Sequence, residues 1–220
     1  MTTEIVSCRT LEIELGHAMA ACGVNYPTHY TDSELHNAPG KLKGVLQGIL
    51  DGLECDRVLL VMGFCGGGVE GLETGDFELV IPRVDDCISL LMGFDRKQLA
   101  CDDKPTYFLT QGWLNSKDNI WIEYNYCLAK YGPDTSKQVF DLMFGNYVRL
   151  GVLDCGCYDV NDILAQCEMI ASALKLETEV VSGTTRYIRD LLTGPWGDDC
   201  LIVPPHTRLT RDMLKLPEGC

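Results

Sequence analysis

Between Arg57 and Leu91 lie two apolar runs, Arg57 to Met62 and Phe77 to Pro82, each too short for a helix and each stopped by a polar, cysteine-bearing turn. An unbroken apolar run of this length is the pattern of a strand buried on both faces of a parallel sheet. The first run ends in Gly63-Phe64-Cys65 and three further glycines, and glycine permits backbone conformations and close approaches that side chains forbid. The second ends in Pro82-Arg83-Val84-Asp85-Asp86-Cys87 and passes into the helical pattern Ile88-Ser89-Leu90-Leu91-Met92. Ligands of open α/β sheets sit outside the carboxyl ends of the strands. Cys65 and Cys87 are therefore expected to face one crevice, although 22 positions separate them.

The rest of the chain repeats this grammar. Glu4 to Cys8 reads as a strand, and Leu11, Leu15, Met19 and Cys22 recur at helical spacing until Gly23. Gly23 to Thr31 supplies a second strand with its connection. From Asn37-Ala38-Pro39 a helix opens with Leu42, Val45, Leu46, Ile49, Leu50 and Leu53 on one face. Strands are predicted at Thr106 to Thr110, Leu150 to Asp154, Glu179 to Ser182 and Cys200 to Pro204. Helices are predicted at Asn115 to Tyr131, Thr135 to Arg149, Asp162 to Leu174 and Thr185 to Leu192, with Gly132-Pro133 separating the first two. The expectation is a single α/β domain over residues 1–220, a three-layer open, mainly parallel sheet with helices on both faces and a polar tail from about residue 206.

Composition narrows the function classes. A net charge of −14, without a basic stripe, argues against nucleic acid, whose phosphates need clustered Lys and Arg. No run approaches the ~18 apolar residues of a membrane span, and the start Met1-Thr2-Thr3-Glu4 has no export signal, so a cytoplasmic protein is expected. In that compartment the twelve cysteines should be reduced thiols. Cys22, Cys127 and Cys167 fall in helical apolar patterns and read as core packing, and Cys220 is a terminal residue without a role.

Cys8, Cys65 and Cys87 all fall at or just beyond predicted strand ends, and His36 precedes a helix on what can be the same rim. Three thiolates and one imidazole suit a divalent metal, zinc by default, or an iron or iron–sulfur centre. Against this stands the absence of a short C-x-x-C pair among them, which leaves plain packing of the two strand-end cysteines as the other reading. Gly66, Gly68 and Gly71 spell G-x-G-x-x-G, but the next strand follows at once where a dinucleotide site needs an opening helix. Asp85 and Asp86 are either proton acceptors and orienting groups or the N-cap of the next helix. Cys155-Gly156-Cys157 is a ligand pair, a redox pair or a tight turn. Tyr107, Trp113 and Trp196 are core residues or ligand platforms, with Trp113 well placed to wall a pocket for a small-molecule substrate.

Six stretches together resemble a domain-of-unknown-function family of anaerobic bacteria and archaea. They are Cys8 to Glu14, Leu35-His36-Asn37-Ala38-Pro39, Gly63-Phe64-Cys65-Gly66, Ile81 to Ile88, Tyr107 to Trp113, and Gly194-Pro195-Trp196. Members are often encoded beside corrinoid-dependent methyltransferases, so the resemblance implies methyl-group (one-carbon) metabolism and a corrinoid protein as partner. It supports Cys65, Cys87, His36 and Cys8 as metal ligands, with Cys8 alternatively the reactive thiolate and Asp86 the proton acceptor. It also places Asn37, Tyr107 and Trp113 at the site. The family pattern commonly has a histidine where this chain has Asp85. Two classes of function follow, a zinc-dependent methyl transfer enzyme or a non-catalytic metal or iron–sulfur accessory protein. A metal-free metabolite-binding domain is the third.

Overall fold

The computed structural model describes residues 1–93 and 104–215; Cys220 lies outside them. β1 (Thr3–Cys8) runs through a 3-10 turn at Arg9–Leu11 into α1 (Glu12–Cys22), which stops where Gly23 takes up the left-handed conformation at φ 67°. β2 (Thr28–Thr31), α2 (Pro39–Leu50), β3 (Arg57–Val61), β4 (Glu78–Pro82) and α3 (Cys87–Met92) follow. Then come β5 (Thr106–Leu109), α4 (Gln111–Leu114), α5 (Ile120–Phe144), β6 (Arg149–Asp154), α6 (Asn161–Leu174), β7 (Glu177–Ser182), α7 (Arg186–Thr193) and β8 (Cys200–Val203). Inside α5 the backbone breaks at Gly132, φ 77° and ψ 173°, immediately before Pro133. The two helices expected on either side of that dipeptide are thus the two limbs of one kinked element.

The class is α/β with mainly parallel pairing, as expected, but the described strands divide between two sheets. One has the order β2-β1-β3-β4-β8, the other β5-β6-β7. All pairs are parallel except β4 with β8. Apolar runs reveal that a strand is buried; they do not reveal which strand lies beside it, because pairing is decided by distant chain.

Alternation along the strands explains the layers. In β3, Val58 and Leu60 face Leu42, Leu46 and Leu50 of α2, whereas Leu59 and Val61 face Leu11 of the 3-10 turn, Leu15 and Ala18 of α1 and Ile188 and Leu191 of α7. In β6, Leu150 and Val152 pack on α5 and α6, while Leu153 joins the cluster around α1 and α7. Helices α1, α3 and α7 therefore lie in the seam between the two sheets. Cys127 and Cys167 are buried among the side chains of α5 and α6, as their spacing predicted.

The C-terminal segment departs from its expected character as a polar tail. Leu209 is 1% exposed, and Met213 and Leu214 pack on the cluster beneath α2. Arg83 secures the segment by donating to the carbonyls of Met213 and Lys215, both at 2.9 Å. Three apolar residues among charges are too few to show periodicity, which is why the docking was not legible.

Candidate functional site

The parallel strands β1, β3 and β4 deliver their carboxyl ends to one edge of the larger sheet. Cys8 is the last residue of β1, Cys65 follows β3, and Cys87 opens α3 after β4. The turns after β3 and β4 are laced together, because the Phe64 and Cys65 amides donate to the Val84 and Asp85 carbonyls at 2.9 and 2.8 Å. Gly63 makes this approach feasible: a Cβ there would stand 2.4 Å from the Asp86 nitrogen. Cys65 itself sits at φ 45°, a left-handed conformation uncommon for a residue with a side chain.

Thr10 joins the thiols. Its hydroxyl donates to Cys8 Sγ at 3.1 Å and lies 3.9 Å from Cys87 Sγ, so one side chain touches two of the sulfurs. Burial pushes the Cys65 thiol up to about 12, with the charges of Cys8 and Asp86 adding to it. Burial also drives Cys87 well above the usual thiol range, followed by the charges of Cys8, Cys65 and Asp86. Cys87 thus feels both other thiols. Among the described residues, however, no group of three or more His, Cys, Asp or Glu side chains is set at metal-binding spacing.

The remaining expected residues distribute differently. Asp86 is the N-cap of α3: its Oδ1 accepts from the Ser89 amide at 2.8 Å and the Ser89 hydroxyl at 2.6 Å. His36 is exposed at the rim; its Nδ1–H donates to the Ser33 carbonyl, and its ring meets the Trp113 edge at 4.9 Å between centroids. That bond fixes the tautomer and leaves the Nε2 lone pair as the ring's basic position. Asn37, its neighbour, is also exposed. Trp113 packs on both the seam and the smaller sheet's core, and its amide is capped by the Thr110 hydroxyl at 3.2 Å. Tyr107 is placed elsewhere, against Phe144 and Tyr147 at 5.0 and 5.8 Å. Its position early in β5 points it into that aromatic group rather than to the strand end.

Two residues escaped the sequence reading. Thr10 gave no signal. Glu14 did, since it shares the buried face of α1 with Leu15 and Ala18, just after the buried Leu11 of the 3-10 turn, where a carboxylate is costly. It is 0% exposed, and among the described residues neither carboxylate oxygen has a hydrogen-bond partner. Burial pushes its carboxyl up to about 7, against a smaller lowering by its own backbone N–H.

The two sheets meet near this edge. Gly112 of α4 lies so close to Thr10 that a Cβ at 112 would fall 2.0 Å from the Thr10 oxygen. Beside the junction a cleft of about 420 Å3 opens between Arg9, Thr10 and Glu12 on one side and Gly112, Asn115 and Ser116 on the other. Ser33 and Ser116 hydroxyls bridge it at 2.7 Å. Among the described residues no helix is long and apolar enough to cross a membrane.

Comparison with known proteins adds one finding. No curated protein and no solved structure matches the chain. A family described as "protein of unknown function (DUF1638)" matches residues 30–192, which takes in His36, Cys65, Cys87 and Trp113, and the chain belongs to that family.

Proposed function

We propose that the strand-end thiols Cys8, Cys65 and Cys87 hold a divalent, thiophilic metal, zinc by default, and that the protein acts in methyl-group metabolism. The observation that carries this reading is the Thr10 hydroxyl in contact with the sulfurs of both Cys8 and Cys87, at the end of three adjacent parallel strands. The donor set fits by kind, because soft sulfur ligands select zinc and iron over magnesium or calcium. The sulfurs must draw together to close on an ion, and Cys65, held in a strained turn, is the ligand whose loop has glycines on its far side to allow it. His36, with its lone pair on Nε2 and its ring against Trp113, is the candidate fourth ligand or a base at the rim.

When bound, such a metal lowers the pKa of a coordinated thiol and so supplies a nucleophile for an alkyl group. The chain's own part is to hold that sulfur against Thr10, which also lines the cleft of about 420 Å3 in which a small substrate, or a methyl-bearing corrinoid partner, presents its carbon. A non-catalytic metal or iron–sulfur accessory role uses the same residues. The spacing of the thiols as they stand favours a second reading, a metal-free metabolite site in the cleft.

The test is elemental analysis and the visible spectrum of anaerobically purified protein. About one equivalent of zinc that disappears in Cys65→Ala is the expected result. Charge-transfer bands and iron would replace zinc by iron. Absence of any metal, with a small molecule retained in the cleft, would establish the second reading.

A further inference from the structure

The carboxyl edge of the smaller sheet carries chemistry that this reading does not use. After β6 the chain turns through Cys155-Gly156-Cys157, with Gly156 at φ 68° and its amide donating to Asp154 Oδ1 at 2.9 Å. Both cysteines are partly buried; the Cys157 thiol donates to the Cys155 carbonyl at 3.5 Å. The Cys155 sulfur is seated in a notch at Gly183, where a Cβ would come within 2.5 Å of it. Across the seam, from the face of α1 whose Leu15 and Ala18 belong to the cluster that Cys155 packs against, comes the fully buried Glu14, with no hydrogen-bond partner for either oxygen among the described residues. Its charge acts on Cys155, on Cys157 and on Tyr158, whose hydroxyl donates to the Leu153 carbonyl.

A buried carboxylate without a partner costs stability, and one packed on the same cluster as a dithiol has a use as its proton acceptor. We propose that Cys155 and Cys157 form a dithiol that exchanges with small-molecule disulfides at the seam between the sheets, with Glu14 accepting the proton of Cys155 as the pair closes. Residues two apart bring their Cα atoms within the range a disulfide spans. Cys157 ionises to solvent and attacks one sulfur of the disulfide RSSR; a Cys157–SR bond forms, the RS–SR bond breaks, and RS⁻ takes a proton from water. Cys155 then attacks Cys157 Sγ, its proton passes to the Glu14 carboxylate, and the second RS⁻ leaves to be protonated from solvent. Two electrons pass from the protein dithiol to RSSR, which becomes two RSH. Burial, first, and then the Glu14 charge hold Cys155 far above the usual thiol range, so the second attack is the step that needs a base. Asp154, whose Oδ1 accepts from the Gly156 amide between the two cysteines, adds its charge to both thiols.

The experiment uses the full chain carrying Cys8→Ser, Cys65→Ser and Cys87→Ser, so the result does not depend on the strand-end thiols. The reduced protein is incubated with glutathione disulfide and followed by intact mass and peptide mapping. Loss of two hydrogens, mapped to Cys155 and Cys157, is expected, with Cys155→Ser stopping at one bound glutathione on Cys157. Glu14→Gln should slow release of the second thiol at least about tenfold at pH 8 while leaving the first attack unchanged. A disulfide mapped to other cysteines, or a Cys157 adduct that never closes in protein whose circular dichroism is native, overturns the proposal. Closure as fast in Glu14→Gln as in its parent removes Glu14 from the mechanism.

Discussion

The two sheets present their carboxyl edges in opposite ways. On the larger sheet three thiols arrive from three strands, and the polar groups around them are engaged: Thr10 bonds Cys8, and Asp86 caps α3. On the smaller sheet two thiols come from a single turn, across the seam from a carboxylate whose oxygens have no hydrogen-bond partner among the described residues. Thiols from separate strands are held apart by the backbone and suit the gripping of something that bridges them. Neighbouring thiols can reach each other unaided, and what they need is somewhere for a proton to go.

The sharpest way to break this contrast is at the larger sheet. Cys65→Ala or Cys87→Ala should empty the protein of metal while it stays folded, whereas Cys155→Ser should leave metal content unchanged. Equal losses from all three would mean that the two edges do one job.

Next in size is Glu14. Its folded-state pKa lies above the unfolded value, so the folded chain keeps a proton that the unfolded chain releases. Stability should fall as pH rises from about 4.5 to about 7 and then level off. Glu14→Met, which removes the buried carboxyl and keeps an apolar side chain, should raise stability at pH 8 by up to about 3 kcal/mol in urea denaturation and by little at pH 4. A variant no more stable at pH 8 would show that the carboxylate finds a partner in solution.

A smaller effect distinguishes capping from chemistry at Asp86. Loss of the cap in Asp86→Ala should cost about 1 kcal/mol, and Asp86→Asn should restore most of it. If metal-dependent activity follows the same order, Asp86 serves the helix; if Asn folds well and remains inactive, it moves a proton. Smallest is Cys167→Ala, at 0% exposure a core substitution worth on the order of 1 kcal/mol, with metal and disulfide exchange both intact.

The sequence made the class of fold and the larger sheet's edge legible, since apolar runs and the cysteines that end them are local signals. Cys8 and Cys87 both reach the Thr10 hydroxyl at the edge beyond which Cys65 follows β3. The division into two sheets was not legible, and neither was the smaller sheet's edge as part of the same seam, because both depend on pairings between distant segments. His36 and Tyr107 show the same limit at the scale of one side chain: a rim position fixes where a residue starts, and its rotamer and neighbours decide where it ends. Glu14 was visible as a misfit on an apolar helix face, a signal that periodicity alone passes over.

Gly112 is the point where the halves of the molecule are gauged against each other. With the Thr10 oxygen 2.0 Å from where a methyl would stand, residue 112 works as a shim of zero thickness, and alanine there would act as a wedge. The wedge would be driven in beside the hydroxyl that touches two sulfurs and one helical turn from the buried carboxylate. A single carbon atom, far from any thiol in sequence, would thus retune the spacing of both edges at once.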